Sequence, residues 1–119
     1  MPFTRSIGDI CIPETEYRYE DIAENMLYMP NNAYAKKASD YLESCMKNQD
    51  SSGGIVECRV KGMPAGIGET VFDKLDASLA KAVVSIGAVK GVEIGDGFEA
   101  SKATAAVTMM HLHVRMVPL

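Results

Sequence analysis

His111-x-His113, near the C-terminal end, is the pattern in this sequence that comes closest to a metal site. Residues two apart lie on one face of a β-strand, so the two imidazoles would supply half of a tetrahedral zinc site. No third ligand type stands near them in the sequence. Isolated pairs of this kind are usually incidental, and we predict no metal site.

Gly95-x-Gly97-x-x-Ala100 follows an apolar segment, as the glycine-rich loop of dinucleotide-binding proteins does. Two features argue against that function. Asp96 would place a negative charge against a pyrophosphate, and no acidic residue stands about 20 positions further on to bind a ribose. The sequence therefore predicts a turn built on glycines at the end of a strand.

The carboxylates suited to general acid or base chemistry are Glu57, Asp73, Asp76 and Glu93. Structural roles account for the first two. Glu57 belongs to the charged, solvent-facing set of an alternating strand, and Asp73 opens a helix, where a negative charge favours the positive end of the dipole. Residue spacing alone therefore predicts no catalytic residue.

Composition excludes several other classes of function. The 119 residues carry a net charge of −4, whereas a nucleic-acid-binding protein needs a basic surface. No apolar run reaches the roughly 20 residues of a membrane span, and the N-terminus has no signal-peptide core. Cys11, Cys45 and Cys58 form no CxxC pair, so we interpret them as reduced, mostly buried thiols. We expect a single cytoplasmic domain.

The apolar periodicity predicts the element order β-α-β-α-β, which fits an α/β or α+β fold. In chain order, the predicted elements are a strand at 4–12, a helix from Asn31 or Asn32 to about Asn48, a strand at 55–61, a helix at 71–84 and a strand at 89–94. In the second helix Leu75, Leu79 and Val83 recur every four residues, with alanines on the other sides. We therefore expect that helix to be packed on more than one face.

A more specific signal runs from residue 50 to residue 102. Its blocks are DSSGGIVE at 50–57, GIGE at 66–69 with VFDKL at 71–75, and SIGAVKGVEIGDGF at 85–98. In this order they closely resemble the middle of chorismate synthase, a match far more specific than a single short motif. Ser6-Ile7-Gly8 with Asp9-Ile10 extends the resemblance, so we assign 1–102 to the central segment of a chorismate synthase domain.

The resemblance implies a lyase of the shikimate pathway, which leads to the aromatic amino acids. Its reaction is the 1,4-anti elimination of phosphate from 5-enolpyruvylshikimate 3-phosphate to give chorismate. Reduced FMN is required as cofactor, although the overall reaction oxidises nothing; whether NADPH and the synthase itself or a separate enzyme reduces it stays open. The family implies an α+β fold, a β-α-β sandwich with helices between two sheets, and a homotetramer.

Of the family's functional residues, the resemblance assigns Gly87 and Ala88 to the flavin site, in the turn between helix and strand. A turn needed only for its geometry is an equally weighted alternative. Lys90 is a positive charge nearby to which we transfer no role. The Gly-Glu-Ser-His-Gly, Arg-Ser-Ala-Arg-Glu-Thr and Arg-Ser-Asp blocks of the family are missing, and neither His111 nor His113 stands in a matching context. We therefore assign no catalytic residue to this chain and expect it to be inactive alone.

The tail, residues 103–119, has no acidic residue but holds both histidines and three of the eight methionines. The family continues here with Gly-Ser, a variable residue, Asn-Asn-Asp and soon Phe. Back-translation of Thr104–His113 with one base deleted permits T-G-S-G-N-N-D-A-F-T. The third base of several codons can be chosen freely. Met109 and Met110 have one codon each, and together with the first bases of the next codon they fix the Asp and the following Ala of the shifted sequence. We interpret the tail as out-of-frame sequence.

The sequence leaves two functions open, one of an enzyme and one of a non-catalytic binding module. The first is a chorismate synthase fragment, whose substrate is 5-enolpyruvylshikimate 3-phosphate and whose partners are further copies of the chain. The alternative is a short, non-catalytic α/β module that binds flavin or a protein partner. Flavin binding by the isolated chain would favour the second function, although Gly87 and Ala88 alone offer little contact for tight binding.

Overall fold

The structure is a computed structural model that describes residues 1–104 and 113–118. Its strands are β1 (Pro2–Ile7), β2 (Ile10–Cys11), β3 (Gly54–Arg59), β4 (Val89–Ile94) and β5 (His113–Pro118), and its α-helices are α1 (Asn32–Lys47) and α2 (Leu75–Val84). The strands form one sheet in the order β2-β1-β3-β5-β4, in which every neighbouring pair is antiparallel. Helices combined with an antiparallel sheet confirm the predicted α+β class.

The first predicted strand, at 4–12, divides into two. Gly8 has φ +55°, a left-handed conformation that suits glycine, and it turns the chain back so that β2 pairs with β1. A Cβ at Gly8 would lie 2.8 Å from the ring of Tyr41 on α1. This glycine therefore serves both the hairpin and the close approach of the first helix.

Helix α1 forms almost as predicted. The side chain of Asn31 caps it by accepting hydrogen bonds from the Ala33 N–H at 3.0 Å and the Tyr34 N–H at 3.4 Å. The apolar periodicity predicts a buried face of Tyr34, Ala38, Tyr41, Leu42 and Cys45. Of these only Ala38 is buried, and the other buried residue of the helix is Ala35. The two alanines allow a close approach to the core, which also contains the buried Ile12 and Met29.

Helix α2 is shorter than predicted, since it begins at Leu75 rather than at Val71. Residues 71–74 are irregular, and Gly68 bridges Lys74 just before the helix. The expectation that α2 is packed on several faces is not met within the described residues: α2 contacts β4, yet none of its residues is buried.

Strand β5 adds an element that the periodicity did not predict. It pairs with β3 on one side and with β4 on the other, so the strand that comes last in the chain fills the interior of the sheet. Residues 105–112 and 119 of the tail lie outside the described residues. None of the helices in the described part of the chain has the length and apolar character needed to cross a membrane.

Candidate functional site

Gly87 and Ala88 occupy the tight turn that joins α2 to β4. The Val89 N–H donates to the Ile86 carbonyl at 3.3 Å, which closes a four-residue turn with Gly87 and Ala88 at its two central positions. Ala88 has φ +70°, the left-handed value that a type II turn requires at its third residue. An alanine costs about 1–2 kcal/mol in this conformation, so the surrounding structure imposes it.

The turn is open on the side of Gly87. A Cβ built on Gly87 meets no atom within 4 Å. Within the described residues, no backbone carbonyl accepts a hydrogen bond from the N–H of Gly87 or Ala88. A planar ring can therefore approach these peptide groups without meeting a side chain, and the residues present fit a flavin. Lys90 is exposed two residues further on, and no hydrogen bond or ion pair to another residue in the described part of the chain gives it a role.

The elements on both sides hold this turn in place. At the end of α2 the Ser85 hydroxyl donates to the Ala82 carbonyl at 2.6 Å, and the Ser85 N–H donates to the Lys81 carbonyl at 3.2 Å. On the other side, Val89 is buried and pairs with Pro118 of β5. The peptide groups of the turn are thus presented from a fixed helix and a fixed strand.

The glycine-rich segment after β4 is not a phosphate-binding loop. Gly97 has φ +54°, and a Cβ there would lie 2.6 Å from the Glu93 carboxyl carbon. Glu93 also accepts a hydrogen bond from the Phe98 N–H at 3.3 Å. A carboxylate therefore occupies the place that a phosphate would need, which supports the prediction of a turn that ends the strand.

The predicted position of Glu57 was wrong. We expected this carboxylate on a solvent-facing side of β3, but its side chain is 0% exposed. The segment containing Glu14 and Tyr17 covers that face of the sheet, and Tyr17 donates from its hydroxyl to Glu57 Oε2 at 3.4 Å. The same alternation places Val56, Cys58 and Val60 on the buried side, but Val60 is exposed beyond the end of the strand. The alternation of β3 was correct, but the charged face is the covered one.

Three arginines neutralise the buried carboxylate. Arg59 Nε donates to Glu57 Oε1 at 2.6 Å, Arg5 Nη1 lies 3.3 Å from Oε2, and Arg115 Nε lies 3.4 Å from Oε2. The arginines come from three neighbouring strands, β3, β1 and β5. Their side chains are 17–20% exposed, so the cluster is partly screened by water.

Two further carboxylates complete the cluster. Glu14 Oε1 lies 3.1 Å from Arg59 Nη2 and 3.3 Å from Arg115 Nη2. Glu93 Oε2 lies 3.8 Å from Arg115 Nη1. Within the described residues, three carboxylates thus face three guanidinium groups. This balance suits a structural network rather than an anion-binding site.

The electrostatics of the cluster also argue against acid–base chemistry at Glu57. Burial by itself raises the pKa of this carboxyl, but the hydrogen bond from Arg59 and the charges of Arg59, Arg115 and Arg5 outweigh it, so the pKa lies below its ordinary value. Burial, and then the charge of Glu57, raise the pKa of Tyr17. A carboxylate held charged and covered from solvent does not exchange protons near neutral pH.

The remaining candidates stay unassigned. No group of three or more His, Cys, Asp or Glu side chains arranged to hold a metal occurs among residues 1–104 and 113–118. His111 lies outside the described residues, so the predicted absence of a metal at this pair stays a prediction. The cysteines are free, as expected, but the prediction of mostly buried thiols was wrong: Cys11 is exposed, and Cys45 and Cys58 are partly exposed.

Comparison with solved structures defines the class of the fold. A crystal structure of chorismate synthase superimposes with a TM-score of 0.84, covering 98% of this chain and 48% of that chain at 23% sequence identity. The chain is therefore an α+β protein with the fold of part of that enzyme. The sequence model of the chorismate synthase family matches residues 2–114, and the chain belongs to this family, whose members are lyases.

Curated relatives agree over the same region. Chorismate synthase of Agathobacter rectalis is 55% identical over 104 residues, covering 87% of this chain and 28% of the relative. That of Lachnoclostridium phytofermentans is 57% identical over 100 residues, covering 84% of this chain and 27% of the relative. The chain thus spans little more than a quarter of the length of these relatives.

Proposed function

We propose that this chain forms the central part of a chorismate synthase. The reaction is the 1,4-anti elimination that converts 5-enolpyruvylshikimate 3-phosphate to chorismate and inorganic phosphate. The observation that carries this proposal is the 55% identity over 104 residues with the Agathobacter rectalis enzyme. The superposition over 98% of the chain adds support for the fold.

Within this proposal the chain contributes to the binding of reduced FMN. When bound, the reduced flavin supplies electron density to the substrate and recovers it within one turnover. The residues of this chain that would contact the cofactor are Gly87 and Ala88, in the turn before β4, where a Cβ built on Gly87 would meet no atom within 4 Å. They would orient the ring, and we assign no proton transfer to any described residue.

The proposal extends to the setting of the protein. We place it in the cytoplasm and in a homotetramer, as the family implies. We also propose that residues 1–102 are the part of the chain that belongs to the enzyme and that residues 103–119 are out-of-frame sequence. The family model matches residues 2–114, which supports the assignment of residues 2–102 to the enzyme but also extends twelve residues into the proposed out-of-frame tail.

A segment exchange tests the proposed function. Residues 1–102 of this chain replace the matching segment of the Agathobacter rectalis enzyme, and chorismate formation is measured with reduced FMN. We expect turnover within about tenfold of the parent enzyme, a difference of about 1.4 kcal/mol in the activation barrier. The matched control carries the corresponding segment from Lachnoclostridium phytofermentans. A folded chimera without activity, beside an active control, would contradict the proposal.

The isolated chain provides a second test. We expect it to form no chorismate from 5-enolpyruvylshikimate 3-phosphate and reduced FMN, because no catalytic residue is assigned to it. Turnover by the isolated chain would contradict that expectation. Tight flavin binding without turnover would favour the alternative of a non-catalytic flavin-binding module.

A further inference from the structure

Ala88 has a left-handed backbone that its own hydrogen bonds do not require. The bond that closes the turn, from the Val89 N–H to the Ile86 carbonyl, is available in type I and type II turns alike. A type I turn would give Ala88 the negative φ that alanine prefers, but the observed φ is +70°. Ala88 is exposed, so burial of its methyl group does not offset the cost. The join between α2 and β4 therefore selects the strained turn at the candidate flavin site.

Gln49 has a similar φ of +54°, but for a structural reason. It follows α1, where the Asp50 N–H donates to the Cys45 carbonyl at 2.9 Å and the Gln49 N–H donates to the Met46 carbonyl at 3.1 Å. This pair of bonds ends a helix when the residue after its cap is left-handed. The hydrogen bonds of Ala88 impose no such condition. Backbone strain that is kept at a candidate binding site points to a role in binding.

The backbone of Ala88 decides which way the peptide between Gly87 and Ala88 points. Type I and type II turns differ in ψ of the second residue and φ of the third, each by roughly 150–170°, so this peptide turns over between the two. One orientation presents the Gly87 carbonyl, an acceptor, where the other presents the Ala88 N–H, a donor. Reduced and oxidised flavin differ in the same way at ring nitrogen N5, which donates in the reduced form and accepts in the oxidised form.

We propose that Ala88 is a positioning residue of the flavin site: its left-handed backbone fixes the peptide between Gly87 and Ala88 in the orientation that favours reduced over oxidised FMN. This inference rests on the proposed function, because it takes this turn as the site where the flavin binds. It adds a property that the turn controls, the preference for one redox state. The methyl group of Ala88 needs no contact with the ring for this role.

Two substitutions of similar size separate the backbone conformation from the bulk of the side chain. Asparagine tolerates the left-handed region, whereas the β-branched threonine avoids it. Both are made in the chimera in which residues 1–102 replace the matching segment of the Agathobacter rectalis enzyme. Anaerobic titration calorimetry with oxidised and with reduced FMN gives the two dissociation constants without any turnover.

Reduced FMN should bind more tightly than oxidised FMN to the parent chimera. Ala88→Asn should keep both dissociation constants within about threefold of the parent values. In Ala88→Thr the ratio of the oxidised to the reduced dissociation constant should fall at least about tenfold, because the turn changes to the type I orientation. Equal effects of the two substitutions on this ratio would overturn the inference.

Gln49→Thr is the matched control. It places the same residue at a left-handed position outside the flavin site, so it should lower the urea midpoint and leave both dissociation constants unchanged. If Ala88→Thr does not fold, Ala88→Gly decides the question. Glycine adopts a positive φ freely, so this variant should have a higher urea midpoint and keep the preference for reduced FMN, and loss of that preference would overturn the inference.

The same titrations distinguish a failure of this inference from a failure of the proposed function. A parent chimera that forms chorismate but binds the two forms of FMN equally would overturn the role of Ala88 and leave the proposed function intact. A folded chimera that binds neither form, beside an active Lachnoclostridium phytofermentans control, would overturn both.

Discussion

Arg59 donates from Nε to Oε1 of Glu57 at 2.6 Å, although the two residues stand only two positions apart on β3. Residues at i and i+2 of a strand share one face, so the pair forms within the strand itself. Glu57 lies directly opposite Arg115 of β5, which in turn lies opposite Glu93 of β4. Acidic and basic side chains therefore alternate across three neighbouring strands.

Removal of the central carboxylate should destabilise the fold. In Glu57→Gln three guanidinium groups lose the carboxylate they share, and of the three only Arg59 and Arg115 keep another carboxylate of the described residues, Glu14, within 4 Å. Breaking a buried ion pair costs about 3–5 kcal/mol, and because these arginines keep some contact with water we expect a loss of about 2–3 kcal/mol in the free energy of unfolding. Urea denaturation measures it. Glu43→Gln, on the exposed side of α1, is the control, and equal effects of the two substitutions would contradict the assigned role.

The same carboxylate predicts a pH dependence of stability. The pKa of Glu57 in the folded chain lies below its ordinary value of 4.5. Its contribution is therefore fully present above pH 4.5 and is lost as the pH falls through the lowered pKa. As the pH is lowered below 4.5, the urea midpoint of the wild type should decrease. The midpoint of Glu57→Gln should decrease less over the same pH range. If the urea midpoints of the two proteins depend on pH in the same way, Glu57 is not the cause of the pH dependence.

Gly97 should tolerate no side chain. Gly97→Ala combines a left-handed φ with a clash against Glu93, and we expect a loss of about 2–3 kcal/mol. Gly62→Ala is the matched control: its φ is also positive but the space is open, so only the backbone cost of about 1–2 kcal/mol applies. Glu93→Ala in the Gly97→Ala background should recover part of the difference, because it removes the carboxyl group at 2.6 Å but keeps the Cβ at 2.9 Å. Equal losses of stability in Gly97→Ala and Gly62→Ala would show that the contact with Glu93 adds nothing to the backbone cost.

Gly87 should accept a side chain without loss of stability but at the expense of flavin binding. In the segment-exchange chimera, Gly87→Leu places its side chain in open space, so the urea midpoint should be unchanged. The affinity for FMN should fall at least about tenfold, or about 1.4 kcal/mol, because the side chain covers the peptide groups. Ala33→Leu on the exposed side of α1 is the control. Unchanged FMN affinity in Gly87→Leu would remove these two residues from the proposed cofactor site.

The DNA around the gene tests the proposed origin of the tail. We expect the reading frame shifted by one base at about Thr104 to continue past the Asn-Asn-Asp sequence. The blocks that contain the family's histidines should appear upstream. Flanks unrelated to the family in all frames would show that the short chain is a genuine product, and flavin titration of the isolated chain would then be the informative measurement.

Features set by local interactions were predictable from the sequence. The capped start of α1 follows from an asparagine before an amphipathic segment, and β4 has the predicted bounds because Gly87 and Ala88 on one side and Gly95 on the other limit the strand. The candidate flavin residues came from the family resemblance, not from geometry. The left-handed φ of Ala88 was not predictable, since alanine normally avoids it.

The tertiary structure decided which faces are covered. The alternation along β3 shows that Glu57 lies on the opposite face from its immediate neighbours, but it does not show which face is covered. That depends on contacts with Tyr17, 40 residues earlier, and with Arg115, 58 residues later. Likewise, local sequence cannot indicate that β5 lies between β3 and β4, because strand order depends on long-range pairing. The sequence thus determined the family, the first helix and the local turns. Packing between distant segments determined the buried charge cluster and the exposed faces of α2.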